Sequence, residues 1–367
     1  MSFPVTTDAD HTLVPEVFPG TAIEPKATDV QQRVSRDKNP EPLPLLFTPL
    51  TIRGCSVKNR LWLSPMCMYS ANDGFVNDFH FFHYMQFAVR GAGLVMLEAT
   101  AVLPEARITP ECLGIWKDEH IDGLRRISTA MKKCGAVAGI QLGHSGRLGS
   151  SIPLNKYMKS DSCKTDAANG GWPNRVFGPS SVPFNDQFWT PKELNEGQID
   201  TIQQAFADAA VRADKAGYEI IDIHAAYGML LNQFLSPTSN KRTDRYGGSF
   251  ENRVRMLVEL VERTRRVWPQ EKPMFVSLSM LEGVDGGWTI DDTLRLARLL
   301  SAKGVDMSEL SVGGNSPDAN IPGAPASKKE LVRQVKQSIA ADELGVNVQW
   351  IDQYQCARPN LKYDTFF

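Results

Sequence analysis

The prediction of the fold rests on residues 218–253, YEIIDIHAAYGMLLNQFLSPTSNKRTDRYGGSFENR. The apolar run Ile220–Ile223 is typical of a strand that is buried on both faces. The run ends on His224, and a loop rich in Asn, Ser, Pro, Thr and Gly follows before a helix that we expect near Phe250. In a parallel α/β barrel the C-terminal strand ends form the active-site face. The titratable side chain of His224 is therefore a candidate functional group.

Short apolar runs alternate with amphipathic segments along the rest of the chain, which predicts an α/β fold of the TIM-type (β/α) barrel. Six runs are clear strands, near residues 62, 95, 139, 221, 276 and 310. The segment Val346–Val348 is too short and polar for a buried strand. Since a complete barrel needs about eight strands, we predict an incomplete one whose last two units are lost or degenerate.

Three regions follow from this pattern. Residues 1–44 are rich in Pro, Thr and charged residues without periodicity, which indicates an exposed N-terminal extension. Residues 45–322 carry the alternating strands and helices of the barrel. Residues 323–367 form a shortened C-terminal segment.

Composition and charge narrow the classes of function. The chain has 367 residues, a net charge of −2 and 42% hydrophobic residues, which argues against nucleic-acid or membrane-surface partners. An apolar run of about 18 residues, as a transmembrane helix needs, does not occur. The six cysteines are scattered without metal-ligand spacing, and no secretory signal is visible. We therefore expect free thiols, a cytoplasmic location and a small-molecule substrate.

Two motifs in the opening stretch closely match one family. They are Phe234–Pro237 (FLSP) and Arg242–Arg253 (RTDRYGGSFENR). Together they resemble the old yellow enzyme family, the flavin-dependent reductases of activated C=C bonds. The resemblance implies FMN as cofactor, NADPH or NADH as reductant, and an enone or quinone as substrate. It covers roughly residues 45–322 and a short match near the C-terminus. In the family an arginine near that end reaches into a neighbouring subunit, so the resemblance also implies a homo-oligomer.

The resemblance also assigns cofactor-binding residues. Ser64–Tyr69 (SPMCMY) is similar to the family's cysteine-containing, bacterial-type branch. There the Ser-Pro-Met backbone lies along the flavin and the cysteine touches the ring, which implies those roles for Ser64, Pro65, Met66 and Cys67. Ala99 and Gln141 match positions that contact the ring. A glutamine suits a pyrimidine-like edge because its amide offers both a donor and an acceptor.

The implied catalytic residues are His224, Tyr227, Tyr69 and Cys67. His224 matches the first member of the family's pair of donors to the substrate carbonyl oxygen, and Tyr227 stands where the family has His or Asn. Two donors there would stabilise the enolate-like charge of the transition state. Tyr69 lines the substrate pocket, and Cys67 modulates the flavin, by the same resemblance.

The sequence departs from the family at several positions. Met229 replaces the tyrosine that protonates the substrate, and Ser277 replaces an arginine that faces the flavin's pyrimidine end. The loops that hold the flavin phosphate are not found, which indicates an internal deletion between about Pro322 and Val346. These changes put flavin affinity and redox competence in question.

Other polar residues have structural interpretations. His80 and His83, three apart near a helix start, suggest only a weak metal site because no third ligand is evident. His120 is predicted to be a solvated helix residue. The charged residues and tyrosine of the second motif are expected to build the loop and cap the following helix: Arg242, Asp244, Tyr246, Glu251 and Arg253.

Three functions of different class remain open on the sequence. The first is an FMN-dependent, NAD(P)H-driven oxidoreductase acting on enones or quinones. The second is a flavin-poor or flavin-free relative in which His224, Tyr227 and Tyr69 polarise a carbonyl for isomerisation or cyclisation. The third is an inactive, truncated member of the family.

Overall fold

The computed structural model describes residues 43–153, 156, 160, 162–321, 330, 331, 333 and 335, and the backbone of Asn347–Trp350. The predicted N-terminal extension and most of the predicted C-terminal segment, including Cys356 and Arg358, lie outside the described residues. The elements below belong to one compact unit, Pro44–Phe367.

The unit alternates strands and helices along the chain. The strands are β1 (Leu50–Ile52), β2 (Cys55–Val57), β3 (Trp62–Leu63), β4 (Leu94–Ala101), β5 (Val137–Gly143), β6 (Phe177–Gly178), β7 (Lys192–Glu193), β8 (Ile220–Ala225), β9 (Met274–Ser279), β10 (Met307–Ser311) and β11 (Asn347–Trp350). The helices are α1 (Asp78–Val89), α2 (Ile121–Lys133), α3 (Glu196–Lys215), α4 (Leu230–Leu235), α5 (Phe250–Val267) and α6 (Ile290–Ala302).

The main sheet has seven strands in the order β11-β10-β9-β8-β5-β4-β3, and every pairing in it is parallel. The six predicted strands are confirmed, and all six residues of β8 are buried as expected. No strand among the described residues joins β3 to β11. The described sheet is therefore an open, barrel-type sheet, as the prediction of an incomplete barrel requires.

Strand β11 was not predicted. It pairs in parallel with β10, with Asn347 opposite Met307 and Trp350 opposite Leu310. Its sequence is half polar, so propensity gives little signal. A strand at a sheet edge needs only its backbone N–H and C=O groups to pair, and those are invisible in side-chain patterns. The sequence-based prediction excluded a strand here, and it is wrong because Asn347–Trp350 form one.

The hairpin β1–β2 covers the N-terminal ends of the sheet strands. Ile52, Cys55 and Val57 are buried against strand starts such as Leu94 and Ile220. The N–H of Gly54 donates to the carbonyl of Glu271, 2.9 Å away. Because this hairpin occupies one end of the sheet, the C-terminal strand ends are the end left for a site.

The motif loop after β8 is structural, as predicted. Arg242 pairs with Asp244 and donates to the carbonyls of Pro179 (3.0 Å) and Leu194 (2.5 Å). Ser249 accepts the N–H of Asn252 and so caps α5, because a hydroxyl there satisfies a free helix donor. One helix in this loop, α4, was not predicted: all six of its residues are buried, so it lacks an amphipathic pattern.

None of the helices in the described part of the chain is long and apolar enough to cross a membrane.

Candidate active site

Strand register brings the predicted residues to one edge of the sheet. Ala99 of β4 lies opposite Gln141 of β5, and Gln141 lies opposite Asp222 of β8. One step further along, His224 lies opposite Ser277 of β9. Since the strands are parallel, these side chains share the C-terminal edge, where the sequence predicts Ala99, Gln141 and His224.

His224 and Tyr227 lie close together at the end of β8. Their ring centroids are 6.3 Å apart and the ring planes are inclined at 63°. His224 is buried, whereas Tyr227 is partly exposed. The Nδ1 atom of His224 has no hydrogen-bond partner among the described residues. The pair therefore presents one buried imidazole and one more exposed phenol toward the same space.

Burial keeps the imidazoles at this edge neutral. It lowers the pKa of His224 to about 4 and that of His144 to about 3. In His144, Nδ1 accepts the N–H of Gly146 at 3.0 Å, so the proton of the neutral ring is on Nε2. That buried Nε2 also has no partner within the described residues. A neutral imidazole can donate one hydrogen bond without carrying charge into the site.

Both candidate tyrosines have left-handed backbones. Tyr69 has φ 50° and Tyr227 has φ 54°, a conformation that non-glycine residues seldom adopt. A relay fixes Tyr227: its N–H donates to Ser279 Oγ (3.0 Å), which donates to the carbonyl of Gly313 (2.7 Å). Local strain of this kind is kept where surrounding contacts impose it, and it is common at functional sites.

Glycine is required at residue 314, directly behind Tyr227. Gly314 has φ +95°, and a Cβ built there would lie 2.5 Å from the Cα of Tyr227. The loop after β10 thus touches the loop after β8 through bare backbone, and this contact helps to fix the tyrosine's position.

The segment Ser64–Tyr69 leaves the end of β3 and is held by a buried carboxyl group. Glu98 Oε2 accepts the N–H of Met68 at 2.9 Å, and Oε1 accepts the hydroxyl of Tyr84 at 3.0 Å. Burial raises the pKa of Glu98 to about 8. A register shift between Leu97 and Ala99 aims Glu98 at this loop, as β-bulges do. Pro65 is buried, and the other five residues of the segment are partly exposed.

Three residues of the C-terminal edge, Gln141, Asp222 and Ser277, join Glu309 in a buried polar cluster that spans the four strands β5, β8, β9 and β10. Ser277 Oγ is 2.6 Å from Asp222 Oδ2 and 3.2 Å from Glu309 Oε2. The amide of Gln141 donates to the same Asp222 oxygen at 2.7 Å. Burial raises the pKa of Asp222 to about 6 and that of Glu309 well above its ordinary value. Where the family resemblance places an arginine, this chain has two acidic groups bridged by a serine.

Met229 occupies an apolar environment. It is 2% exposed and packs in a cluster with Leu148, Cys163, Phe184 and Phe188. It also lines a small cavity beside Ala99 and His144. Its thioether cannot supply a proton there, as the sequence indicates.

The histidines outside this edge have structural roles. His80 Nδ1 lies 3.2 Å from the N–H of Asn77 in a capping box at the start of α1. His120 is only 1% exposed and lies edge-on to Phe75 and Trp116, so the prediction of a solvated His120 is wrong. It precedes α2 in a short 3-10 helix. Its ring packs inward because aromatic partners from two loops enclose it.

The structure adds residues that sequence reasoning missed. They are Glu98, Asp222, Glu309 and Cys112, all of which are nearly fully buried. A signal existed for Glu98, since a carboxylate inside the apolar run LVMLEATA is unusual. Asp222 and Glu309 have partners from segments far away in the chain, and Cys112 meets Cys67 from a distant loop, so their spacing carries no signal.

Comparison with known proteins now identifies the family. Residues 45–355 match the model of the NADH:flavin oxidoreductase / NADH oxidase family. The chain belongs to this family. It is 39% identical over 307 residues to an NADH:flavin oxidoreductase of Gibberella zeae, covering 80% of this chain and 74% of that protein. It is 40% identical over 293 residues to the NADPH dehydrogenase of Bacillus subtilis, covering 79% and 80%.

A solved structure supports the same assignment. Morphinone reductase in complex with tetrahydroNAD superposes with a TM-score of 0.68 at 25% identity, covering 85% of this chain and 81% of that one. The predicted old yellow enzyme resemblance is therefore confirmed. As a family member the protein is a flavin-dependent oxidoreductase, and the family implies FMN with NAD(P)H.

The residues at the C-terminal edge fit the ring of FMN in most respects. Two buried polar atoms, Nδ1 of His224 and Nε2 of His144, lack partners within the described residues, and Ala99 is small and partly exposed between them and β3. Ser277 departs from this fit because it supplies no cation. The predicted loss of the phosphate-binding loops concerns residues that lie mostly outside the described part of the chain.

Proposed function

We propose that the protein reduces the activated C=C bond of enones or quinones, with NAD(P)H as the source of reducing equivalents. The observation that carries this proposal is the neutral His224 beside Tyr227 at the strand end next to Ala99 and Gln141. Two hydrogen-bond donors at such a place suit a substrate carbonyl oxygen.

Six residues would hold the cofactor. Ser64, Pro65 and Met66 would present backbone to one side of the ring, Cys67 its thiol, Ala99 a small surface and Gln141 its amide. Bound FMN would supply the redox chemistry, which is hydride uptake from the nicotinamide and then hydride delivery to the substrate. Glu98 supports this group of residues because it holds the N–H of Met68, directly after Cys67.

His224 and Tyr227 would orient the substrate. Their donors would hold the carbonyl oxygen and stabilise the negative charge that develops on it, which is the larger part of the expected rate effect. A neutral imidazole is suited to this role since it needs no proton from solvent at physiological pH. Tyr69, in its constrained left-handed conformation, would bound the substrate space from the β3 side.

The substrate's α-carbon also needs a proton. Met229 cannot supply it, because its thioether carries no transferable proton and its neighbours in the cluster are apolar. We therefore assign proton delivery to the side of the partly exposed Tyr227. Replacing Tyr227 by Phe should slow enone reduction while leaving NADPH oxidation by a quinone, whose reduced form takes its protons from solvent, less affected.

Two expectations about cellular context belong to the same proposal. Helix α1 exposes an apolar stripe, Phe79 (50%), Phe82 (70%) and Val89 (71%), which suits a second copy of this chain. Light scattering should therefore give a mass above that of one chain, and a monomer would contradict it. The described cysteines form no disulfide in the structure: Cys55, Cys67, Cys112, Cys134 and Cys163. They suit a reducing, cytoplasmic location, which fractionation of the source cells would test.

The test is anaerobic turnover of 2-cyclohexenone and a benzoquinone with NADPH. The expected result is consumption of NADPH matched by saturated ketone, with kcat/KM lowered about 10²–10³-fold in His224→Ala and less in His224→Asn, which retains a donor. His83→Ala, on helix α1, is the matched control. Conversion of the enone to an isomer in the absence of NADPH would instead show non-redox chemistry and overturn the proposal.

A further inference from the structure

We propose that Cys67 and Cys112 are a thiol pair that hydrogen peroxide converts reversibly to a disulfide at the edge of the flavin site. The inference goes beyond the proposed reductase activity. The pairing of the two sulfurs is a property of the protein chain itself and does not depend on that activity.

The backbone holds the two cysteine loops side by side. The N–H of Ala71 donates to the carbonyl of Glu111 at 2.8 Å, and the N–H of Gly114 donates to the carbonyl of Gly74 at 3.0 Å. On the other side, Leu113 accepts the N–H of Ala101 in β4 at 2.9 Å. The loop of Cys112 therefore lies between β4 and the loop of Cys67, and both its neighbours fix its position.

The two sulfurs meet across this contact. The thiol of Cys67 hydrogen-bonds Cys112 Sγ. The same sulfur lies 3.4 Å from the N–H of Thr109, which donates to it, and 3.5 Å from the Thr109 hydroxyl. Several donors thus converge on Cys112 Sγ, an arrangement that favours a thiolate over a thiol.

Charge around Cys112 acts in the same direction. Burial opposes its ionisation, but the hydrogen bonds from Cys67 and Thr109 lower the pKa of Cys112 to about 7. Arg107 faces it with positive charge. Glu98 faces it from β4, and burial raises the pKa of Glu98 to about 8, so this carboxyl is mostly uncharged at neutral pH. A large fraction of Cys112 is therefore nucleophilic thiolate near pH 7.

The two cysteines differ in solvent exposure, and this difference limits which oxidants can reach each sulfur. Cys112 is 2% exposed and lines the small cavity shared with Ala99 and Met229, which has room for about one molecule of the size of water. Cys67 is partly exposed. A bulky oxidant would be excluded from Cys112, whereas hydrogen peroxide is small enough to reach it.

The reaction balances with peroxide as the only oxidant. The Cys112 thiolate attacks one peroxide oxygen, the O–O bond breaks, and hydroxide leaves, which gives a sulfenic acid on Cys112. Cys67 then loses its proton and attacks that sulfur, and a second hydroxide leaves. With both protons taken up, two thiols and one peroxide become one disulfide and two waters. A dithiol reductant reverses the reaction by exchange.

The test uses the purified full-length protein, treated with about one equivalent of hydrogen peroxide and digested without reduction. We expect a cross-linked peptide that contains Cys67 and Cys112, two titratable thiols fewer than before, and recovery of both with dithiothreitol. Between pH 6 and pH 8 the rate should rise only about tenfold and then level off, as for a thiol of pKa near 7. An ordinary thiol would rise far more steeply.

Variants separate the pair from general oxidation. Cys112→Ala should abolish the cross-link, while Cys134→Ala, which removes a half-buried cysteine whose pKa burial raises, should form it at the same rate. Cross-links that join other cysteines equally fast, or irreversible oxidation of Cys67 without any cross-link, would overturn the proposal. The readout is peptide mass, so absence of bound FMN would count against the proposed function and not against the thiol pair.

Discussion

His224 is the residue on which the proposed chemistry depends, and burial decides its charge. With its pKa lowered to about 4, the ring is neutral above about pH 5 and donates without titrating in the working range. We therefore expect kcat/KM for enone reduction to show no limb from this histidine between about pH 5.5 and pH 8. A stopped-flow pH profile measures this. A limb near pH 6.5 that disappears in His224→Asn would contradict the expected burial.

At the residue scale the sequence predicted the location of candidate site residues better than it predicted their hydrogen-bond partners. The sequence points to His224 because a polar residue that ends an apolar strand lies at the open edge of a parallel sheet, and to Gln141 through the family resemblance. The support that Glu98 gives to Met68 depends on a local register shift in β4 that no residue pattern encodes. The contact of Cys112 with Cys67 depends on two loops that pair through backbone groups alone.

At the scale of elements, the loops after β8 and β10 position Tyr227 through bare backbone. In Gly314→Ala the new Cβ would lie 2.5 Å from the Cα of Tyr227, in a left-handed conformation. We expect it to lower the free energy of unfolding by about 2–4 kcal/mol and to lower kcat/KM for the enone, because Tyr227 must move. Chemical denaturation and steady-state kinetics measure the two effects.

Gly248→Ala is the matched control for this prediction. Gly248 also has a left-handed φ, of +78°, but a Cβ there would meet no atom within 4 Å. It should show only the conformational cost, about 1 kcal/mol, and unchanged turnover. Equal effects of the two variants on kcat/KM would argue against the loop contact as the feature that positions Tyr227.

The elements that the sequence missed share a physical cause. Strand β9 was predicted near residue 276, because an apolar run follows Pro273 there. Helix α4 is buried on every side and short, so its sequence resembles an apolar loop. Strand β11 depends on backbone pairing with β10. Patterns of side-chain polarity predict strands with a continuous apolar run and helices with one exposed face, and these two elements have neither property.

For the whole molecule, the acidic cluster across β8, β9 and β10 makes stability depend on pH. Burial raises the pKa of Glu309 in the folded state above its unfolded value. The folded protein therefore retains a proton that the unfolded chain releases, and the free energy of unfolding falls as pH rises above about 4.5. Glu309→Gln should flatten this slope and raise stability at pH 8 by about 1–3 kcal/mol.

Urea unfolding from pH 5 to pH 8 tests this expectation. Asp122→Asn, at an exposed position of α2, is the control and should leave the slope unchanged. Lower stability of Glu309→Gln at pH 8 would mean that the ionised pair is stabilising in the folded state. The same cluster should also disfavour negative charge on a group bound at this end of the site, because Ser277 supplies no positive charge to offset it.

The central claim is that the C-terminal edge of the sheet binds the ring of FMN beside His224. Spectroscopy of the freshly purified protein tests it most directly, followed by titration of cofactor-free protein with FMN. We predict a yellow protein that releases close to one FMN per chain on denaturation, and a ring spectrum that shifts in His224→Ala and Gln141→Ala. A colourless protein that leaves FMN fluorescence unchanged at every concentration would contradict it.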